Sequence, residues 1–402
     1  MDGTQVITST RTPPDTATVE ESIRELFASS LRDEAAIWER DAAMPKSAFE
    51  RMADTGVFAA RWPRDAREPG NVAIGSLLVR ETALVSVGGC IAVGTHLEVF
   101  FRALARSEYG ADRWSEALAG RLLGGFAVSE YGGGSNPSNC ETTAEPSGDG
   151  WVLNGHKHYV SNAGAATDLI VFARTSRGRD LNNFTVFLVP TDATVVTITP
   201  HDLLGARASG TCSVDLREVE VCDERRVGRV GGGLALLFDF LRGERMAAAS
   251  GSLAAAELCF EIALAWASAR QSAGEPLRQR QTIAHRLAIL SSEIAAARGL
   301  LADRIQRAQA GRITSAEAAQ AKYIIGRLAW RAADEAMQIL AGHGYTEETP
   351  FAQLWRDIRI GRIGGGTDEV QLEIVAQNLR PGTLATHPLV RTVEQKATCD
   401  AC

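Results

Sequence analysis

Residues 234–269 place the strongest demand on how this chain can fold. They are almost all helix formers, with apolar residues on every side rather than along one stripe. A helix of that length runs about 54 Å, and one that is apolar all round holds in water only when other elements cover it. The chain must therefore supply partners. A second helical pattern places Ile283, Leu287, Leu290, Ile294, Leu301 and Ile305 on a narrow stripe. A third opens with Thr314 and Glu317 in capping-box register and runs to Leu340, where Gly342 and Gly344 stop it. A fourth starts at Thr367 and fades at Pro381. Four long helices with short joins predict a four-helix bundle over residues 231–381.

Upstream, residues 126–230 change period. Short apolar runs at 151–153, 158–160, 169–173, 185–189, 195–198, 212–216 and 219–221 alternate with turn residues, and Asn154 with Gly155 reads as a hairpin turn. Such spacing predicts a small β-sandwich or β-barrel. Before it, Val19, Ile23, Phe27 and Leu31 step by four, which predicts one amphipathic helix over 18–39. Further helical patterns cover 45–55, 72–85 and 97–118, with a loop at 63–71. The expected architecture is α+β and multidomain: a helical domain over 18–125, a β domain over 126–230, then the bundle. Residues 1–17 read as a floppy start, and 382–402 as a tail or partner-gripping arm.

Charge and composition narrow the function classes. A net charge of −7 and a pI near 5.6 argue against a nucleic-acid binder, which would need a basic face. No run of eighteen uncharged apolar residues occurs, so no membrane span is expected. The seven cysteines follow no framework spacing, and the first residues carry no apolar leader, which suggests reduced thiols in the cytoplasm. Cys399 and Cys402 form a CxxC, but without a second pair they make no metal site.

The stretch from Phe126 to Asn162 carries the chemistry. FAVSEYGGGSN is a buried strand that turns abruptly polar and then runs into three glycines, whose backbone N–H groups can approach a flat or anionic ligand. WVLNGHKHYVSN follows almost at once. In order and spacing this pair resembles the acyl-CoA dehydrogenase family of FAD enzymes, and the resemblance covers residues 18–380. It implies that Phe126, Val128 and Ser129 lie along the flavin pyrimidine edge, that Tyr159 flanks the ring, and that Ser161 bonds flavin N5. Ser135 would sit between flavin and thioester. The family has proline and aspartate where this chain has Tyr131 and Asn136.

The resemblance extends into the bundle. Arg270 falls on an arginine that pairs with the FAD pyrophosphate across a subunit boundary, a task suited to a bidentate guanidinium. The phenylalanine three residues on is Ala273 here. Ser272, Gln281, Gln338, Gly342, Thr367 and Glu369 fall on further FAD positions. The segment at 204–211 resembles a family loop whose Arg207 reads equally as an ion-pairing or a functional residue. The family assembles as a homo-oligomer, usually a tetramer and otherwise a dimer, and passes electrons to an electron-transfer flavoprotein or to oxygen.

The implied reaction is α,β-dehydrogenation of an acyl thioester: a base removes the α-proton while hydride leaves the β-carbon for flavin N5. Most family members carry the base just before the glycine-threonine that opens the last helix, but this chain reads Gly364, Gly365, Gly366, Thr367 there. A branch that includes isovaleryl-CoA and long-chain enzymes places a glutamate directly before the arginine of the first bundle helix. The matching residue is Glu244, followed by Arg245. Glu244 is therefore expected as the base, with the Gly365 N–H on the thioester oxygen and Leu241, Arg242 and Arg245 lining the substrate site. Two alternatives stay open. One is a carrier protein in place of CoA, which Arg242 favours because it stands where a family aspartate helps bind CoA pantetheine. The other is a flavin monooxygenase, against which Glu244 argues.

Overall fold

Val19, Ile23, Phe27 and Leu31 are all buried, but on two helices rather than one. Thr16–Ala28 (α1) and Ser30–Arg40 (α2) part at Ser29, whose φ of −112° and ψ of −105° are not helical. The Ser29 hydroxyl donates back to the Glu25 carbonyl at 2.7 Å and helps end the first helix. The computed structural model describes residues 15–63, 70–176, 181–380, 382–391 and 393. The expectations for residues 1–14 and for Cys399 and Cys402 lie outside these.

Lys46–Asp54 (α3), Val57–Arg61 (α4) and Val72–Val85 (α5) follow, the last capped by the Asn71 side chain, which accepts from Ile74 N at 3.1 Å. The helix expected over 97–118 is in fact two stretches. It begins at Val87–Thr95 (α6), widens into a π-helical turn at His96–Phe100, continues through Phe101–Leu104 (α7), and breaks before Glu108–Leu118 (α8). Ser107 makes the break by capping α8, accepting from Gly110 N at 3.1 Å. The start was hidden because VGGCIAVGT is glycine-rich and buried on nearly all sides, so it shows no helical stripe.

Gly124–Ala127 (β1), Thr143–Ser147 (β2), Gly150–Val160 (β3), Asp168–Arg174 (β4), Phe184–Pro190 (β5), Val196–Pro200 (β6), Cys212–Cys222 (β7) and Arg226–Val227 (β8) form one eight-stranded mixed sheet. Its order is β6-β7-β3-β2-β4-β5-β8, and β1 joins β4 in parallel. Asn154 and Gly155 are not a hairpin turn. They lie inside β3, where the register against β7 shifts between Leu153 and Gly155. Opposite them Glu218 takes φ +53°, and its N–H donates to Asn154 Oδ1 at 2.8 Å. Paired bulges thus hold both strands continuous, so the runs at 212–216 and 219–221 are one strand. Gly155 is required by close approach, since a Cβ there would lie 2.4 Å from Thr142 Oγ1.

The helical end of the chain opens with Gly233–Ala269 (α9), then a hairpin of Gln271–Ser272 (β9) and Glu275–Pro276 (β10). Gln281–Gln309 (α10), Ser315–Leu340 (α11), Phe351–Ile358 (α12) and Asp368–Gln377 (α13) complete it. The Thr314 and Glu317 capping box forms as the spacing predicts. The helices α5, α10 and α11 all pack on α9 and supply its cover. By length and mean hydropathy Val87–Leu104 and Gly233–Ala269 could cross a bilayer, which a search for uncharged runs passes over; here 83% of the first, and 56% of the 18-residue apolar window of the second, are buried in the fold. Because α10 runs back and α11 returns, the last turns of α9 and α11 meet at one end, where the Trp266 and His343 rings lie 4.7 Å apart.

Candidate active site

Glu244 sits in the first third of α9, and its side chain makes no hydrogen bond and no ion pair among the described residues. Its Oε2 is buried and unpartnered. Such a carboxylate is costly to hold ionised. Burial pushes its pKa up, against the pull of the Arg245 and Lys322 charges. A carboxylate in this state is a stronger base than one in water. On its free side stands Gly365: a Cβ built there would lie 3.8 Å from the Glu244 carboxyl carbon.

The turn that presents Gly365 is fixed by two side chains. Gly365 and Gly366 take φ +66° and +97°, where residues with a Cβ are strained. Gln371, fully buried on α13, donates to the carbonyls of Gly365 at 3.1 Å and Gly366 at 2.9 Å. Lys322, 1% exposed on α11, donates to Gly366 O at 2.5 Å. Burial lowers the Lys322 pKa to about 8, with Asp368 and Glu244 opposing the fall. The N–H groups of Ile363 and Gly364 both go to Ile360 O, whereas that of Gly365 has no partner among the described residues. A free donor therefore stands beside the unpaired carboxylate. Thr367 caps α13 from the same turn, and Glu369 is exposed in its first turn.

The two β segments meet at this site. Phe126 N donates to Ser161 O at 3.2 Å, and His158 N donates to Ser129 O at 2.8 Å. Asn162 reaches back through Nδ2 to Gly124 O at 2.9 Å. The Phe126 ring lies edge-on to that of Phe240 on α9 at 6.4 Å, one turn before Glu244. Tyr159 and Asn162 take φ +56° and +60°, rare for residues with side chains, and so bracket Ser161 in a strained turn. Val128 and Ser129 are half-buried, and Ser135 is exposed in the glycine loop.

That loop hangs on Glu130. Its carboxylate accepts from Lys157 Nζ, Thr142 Oγ1 and Glu141 N, each at 2.6 Å, and Gly133 N closes on its carbonyl at 3.1 Å. Burial works against the ionised form, but Lys157 and these hydrogen bonds together hold the pKa down to about 2. Gly132 has nothing within 4 Å of a built Cβ, so the loop presents bare backbone to open space.

Arg270, Ser272, Gln281, Gln338 and Gly342 gather elsewhere. They lie at the far end of the bundle, and all but Ser272 are exposed. Arg270 directly follows the last residue of α9, 26 residues beyond Glu244, or about 39 Å along the axis. Its guanidinium has no partner among the described residues. Ala273 and Gly274 form the tip of the adjacent hairpin, both with positive φ. Leu241 and Arg245 flank Glu244; Arg245 is 2% exposed and its pKa is lowered by burial. Arg242 turns the other way, pairing with Asp239. Arg207 pairs with Asp202 at 2.9 Å in an exposed ion pair.

The sequence reading passed over Lys322, Gln371, Glu130 and Lys157. Lys322 alone left a signal, as a charge set at helical spacing among Ala318, Ala319 and Ile325. The strained turn around Ser161 and the bare glycine loop lie on the two β segments that reach Phe240, one turn before Glu244, and such exposed backbone fits a flat cofactor. FAD would be held there by the 126–135 and 159–162 segments and Thr367.

Residues 13–125, 125–219 and 231–380 match the N-terminal, middle and C-terminal domains of acyl-CoA dehydrogenases. The chain is 29% identical over 383 residues to the rat (Rattus norvegicus) mitochondrial short-chain specific acyl-CoA dehydrogenase, covering 93% of this chain and 92% of that one. It is 30% identical over 371 residues to an acyl-[acyl-carrier-protein] dehydrogenase of Mycobacterium sp. (strain MCS), covering 90% and 94%. The structure of butyryl-CoA dehydrogenase from Megasphaera elsdenii superposes with a TM-score of 0.84 at 27% identity, over 89% of this chain and 96% of that one. The chain belongs to the acyl-CoA dehydrogenase family, FAD-dependent oxidoreductases that act on CH–CH bonds.

Proposed function

We propose that the protein desaturates the α,β bond of a short acyl thioester, with Glu244 as the base that takes the α-proton. The observation that carries this is the pairing of an unpartnered, buried carboxylate with a free backbone N–H on Gly365. A thioester oxygen on that N–H is stabilised as the α-carbon gives up its proton. It also brings the α-hydrogen to Glu244, whose raised pKa suits it to the transfer. Lys322 and Gln371 hold the turn, and Arg245 keeps a cation beside the carboxylate. FAD, when bound, supplies the hydride acceptor.

Arg270, Gln281, Gln338 and Gly342 lie too far from Glu244 to serve the same flavin. This supports a homo-oligomer in which they reach the cofactor of a second copy. The thioester carrier has two readings. Arg242 is paired to Asp239 and stands where the family keeps an aspartate for pantetheine, which favours a carrier-bound acyl group; the relatives support both readings equally, with acyl-CoA enzymes at 29% and 31% identity and a carrier-protein enzyme at 30%. An electron-transfer flavoprotein would then reoxidise the enzyme.

Anaerobic bleaching of the bound flavin by butyryl-CoA and by butyryl-acyl-carrier protein tests the assignment. Glu244→Gln is expected to keep FAD yet bleach at least ~100-fold more slowly with whichever thioester reacts. Bleaching at the native rate would remove Glu244 from the chemistry. Hydroxylation of a substrate by reduced enzyme and oxygen would replace the dehydrogenase reading with a monooxygenase.

A further inference from the structure

The strained turn around Ser161 leans on residues 206–210. Asn162 N donates to Ser209 O at 2.8 Å, and Gly164 N to Gly210 O at 3.0 Å. Both acceptors belong to a short 3-10 turn at Arg207–Ser209, closed by Ser209 N on Ala206 O at 3.1 Å and Gly210 N on Arg207 O at 3.2 Å. Ala206 and Gly210, at its two ends, take φ +54° and +58°. Such a conformation is sparsely populated by alanine and persists only where neighbours impose it. What ties the loop down therefore decides where the Ser161 turn stands.

Two buried carboxylates, one from each helical domain, make the side-chain ties. Asp357 on α12, 3% exposed, accepts from Ala206 N at 2.6 Å. Glu39 on α2, 7% exposed, accepts from Ala208 N at 3.2 Å through one oxygen and from the Ser86 hydroxyl at 2.9 Å through the other. Met44 N adds a backbone bond to Ala208 O at 3.0 Å. Neither contact has slack. A Cβ at Gly205 would lie 2.7 Å from Asp357 Oδ1, and one at Gly88 would lie 2.8 Å from Glu39 Oε1 and from the Ala206 carbonyl carbon. A shift at either carboxylate passes along the loop's own hydrogen bonds to the turn.

Among the described residues the charged groups around Asp357 are Glu39, Arg40, Arg207 and Arg356. The three arginines are drawn to other carboxylates: Arg40 to Asp41 at 2.8 Å, Arg207 to Asp202 at 2.9 Å and Arg356 to Glu347 at 2.6 Å. Burial and the Glu39 charge raise the Asp357 pKa to about 7, against the bonds from Ala206 and Gln353 and the Arg356 charge. Asp357 also lines an open cleft of about 620 Å³, which gives its proton a path to water. Near neutral pH the carboxyl is thus divided between a neutral form and an ionised one that sets a second buried negative charge beside Glu39.

We infer that Asp357 is a positioning residue for the flavin: with Glu39 it clamps residues 206–210, and these set the 159–162 turn against the cofactor, a role that rests on FAD lying beside that turn. The neutral form holds the clamp closed. Ionisation loosens it, so the surroundings of the flavin change as pH rises through about 7.

The absorption spectrum and release rate of bound FAD, followed across neutral pH with no thioester present, test this. The native protein should show a spectral shift centred near pH 7, with FAD released ~10-fold faster on the alkaline side, the effect of about one lost hydrogen bond. Asp357→Asn keeps the acceptor and cannot ionise, so it should hold the acid-side spectrum and slow release at every pH. Asp357→Ala should behave as the alkaline form throughout. Glu39→Gln removes the repelling charge and should move the midpoint down by on the order of one pH unit, which makes the case should Asp357→Ala fail to fold. Ser161→Ala separates the clamp from the placement of the cofactor. A spectrum indifferent to Ser161→Ala would put the flavin elsewhere and overturn both. A spectrum that responds to Ser161→Ala, while native and Asp357→Asn proteins titrate alike, would overturn the clamp alone and assign the slope to His156, His158 and His201 beside Tyr159. A midpoint unmoved by Glu39→Gln would overturn it as well.

Discussion

Replacing Lys322 with methionine separates electrostatic control of the base from its mere presence. Lys322 Nζ bonds Gly366 O at 2.5 Å, and the neighbouring Gly365 stands against the Glu244 carboxylate at 3.8 Å, measured from a built Cβ. The two charges thus face each other across the Gly365–Gly366 turn, and an opposite pair about 7 Å apart at an effective dielectric near 20 is worth about 2 kcal/mol. That is somewhat more than one pKa unit. Burial raises the Glu244 pKa and Lys322 lowers it, so Lys322→Met should raise it further. A base must be ionised to act. The acid limb of kcat/KM should therefore move up by about one pH unit, while the plateau above it changes little. Gly366 O keeps its bond from Gln371 at 2.9 Å, so the turn should survive the change. An α-deuterated thioester makes proton transfer visible in the profile. An acid limb that stays in place, or moves down, would refute the coupling.

Two further perturbations test the framework around the site. Glu130→Gln leaves Lys157 buried without its counter-ion, which should cost about 3 kcal/mol and loosen FAD, read by urea unfolding and flavin release. Because the Glu130 pKa is held below its usual 4.5, its contribution is present above that pH and is lost as pH falls toward 2; the variant should lack that slope. Asp357, which accepts from Ala206 N at 2.6 Å, has its pKa raised by burial and by Glu39 to about 7. The folded protein binds that proton more tightly than the unfolded chain, so stability should fall as pH rises from about 4 to 7. Asp357→Asn should flatten the fall and raise stability at pH 8 by on the order of 1–2 kcal/mol, measured by thermal unfolding at several pH values.

How far the fold was legible depended on whether burial left a period behind. The stripe on α10 is periodic and the helix carries it, and α11 begins at the capping box the residues predict. The run at Val87–Thr95 is buried on nearly every side and carries glycines at 88, 89 and 94, so neither stripe nor propensity marks it. Asn154 and Gly155 misled for a different reason. Asn-Gly favours a tight turn when nothing opposes it, but here the β7 backbone lies alongside and Glu218 N takes up the Asn154 side chain. Tertiary pairing outweighs a local preference worth on the order of 1 kcal/mol.

The site divides along the same line. Glu244 could be picked out because a family position was vacant at Gly365 and another was filled. What makes it a base lies elsewhere: α11 crosses α9 so that Lys322 reaches the turn before α13, and Gln371 closes that turn from α13 itself. The residues that make these contacts lie 78 or more positions along the chain from Glu244, and no spacing rule within one helix reports them. One-dimensional pattern can nominate a carboxylate, but its pKa belongs to the packing of three helices. A variant that leaves Glu244 in place and moves only the α11–α13 turn should therefore alter the pH dependence of the reaction before it alters the stability of the fold.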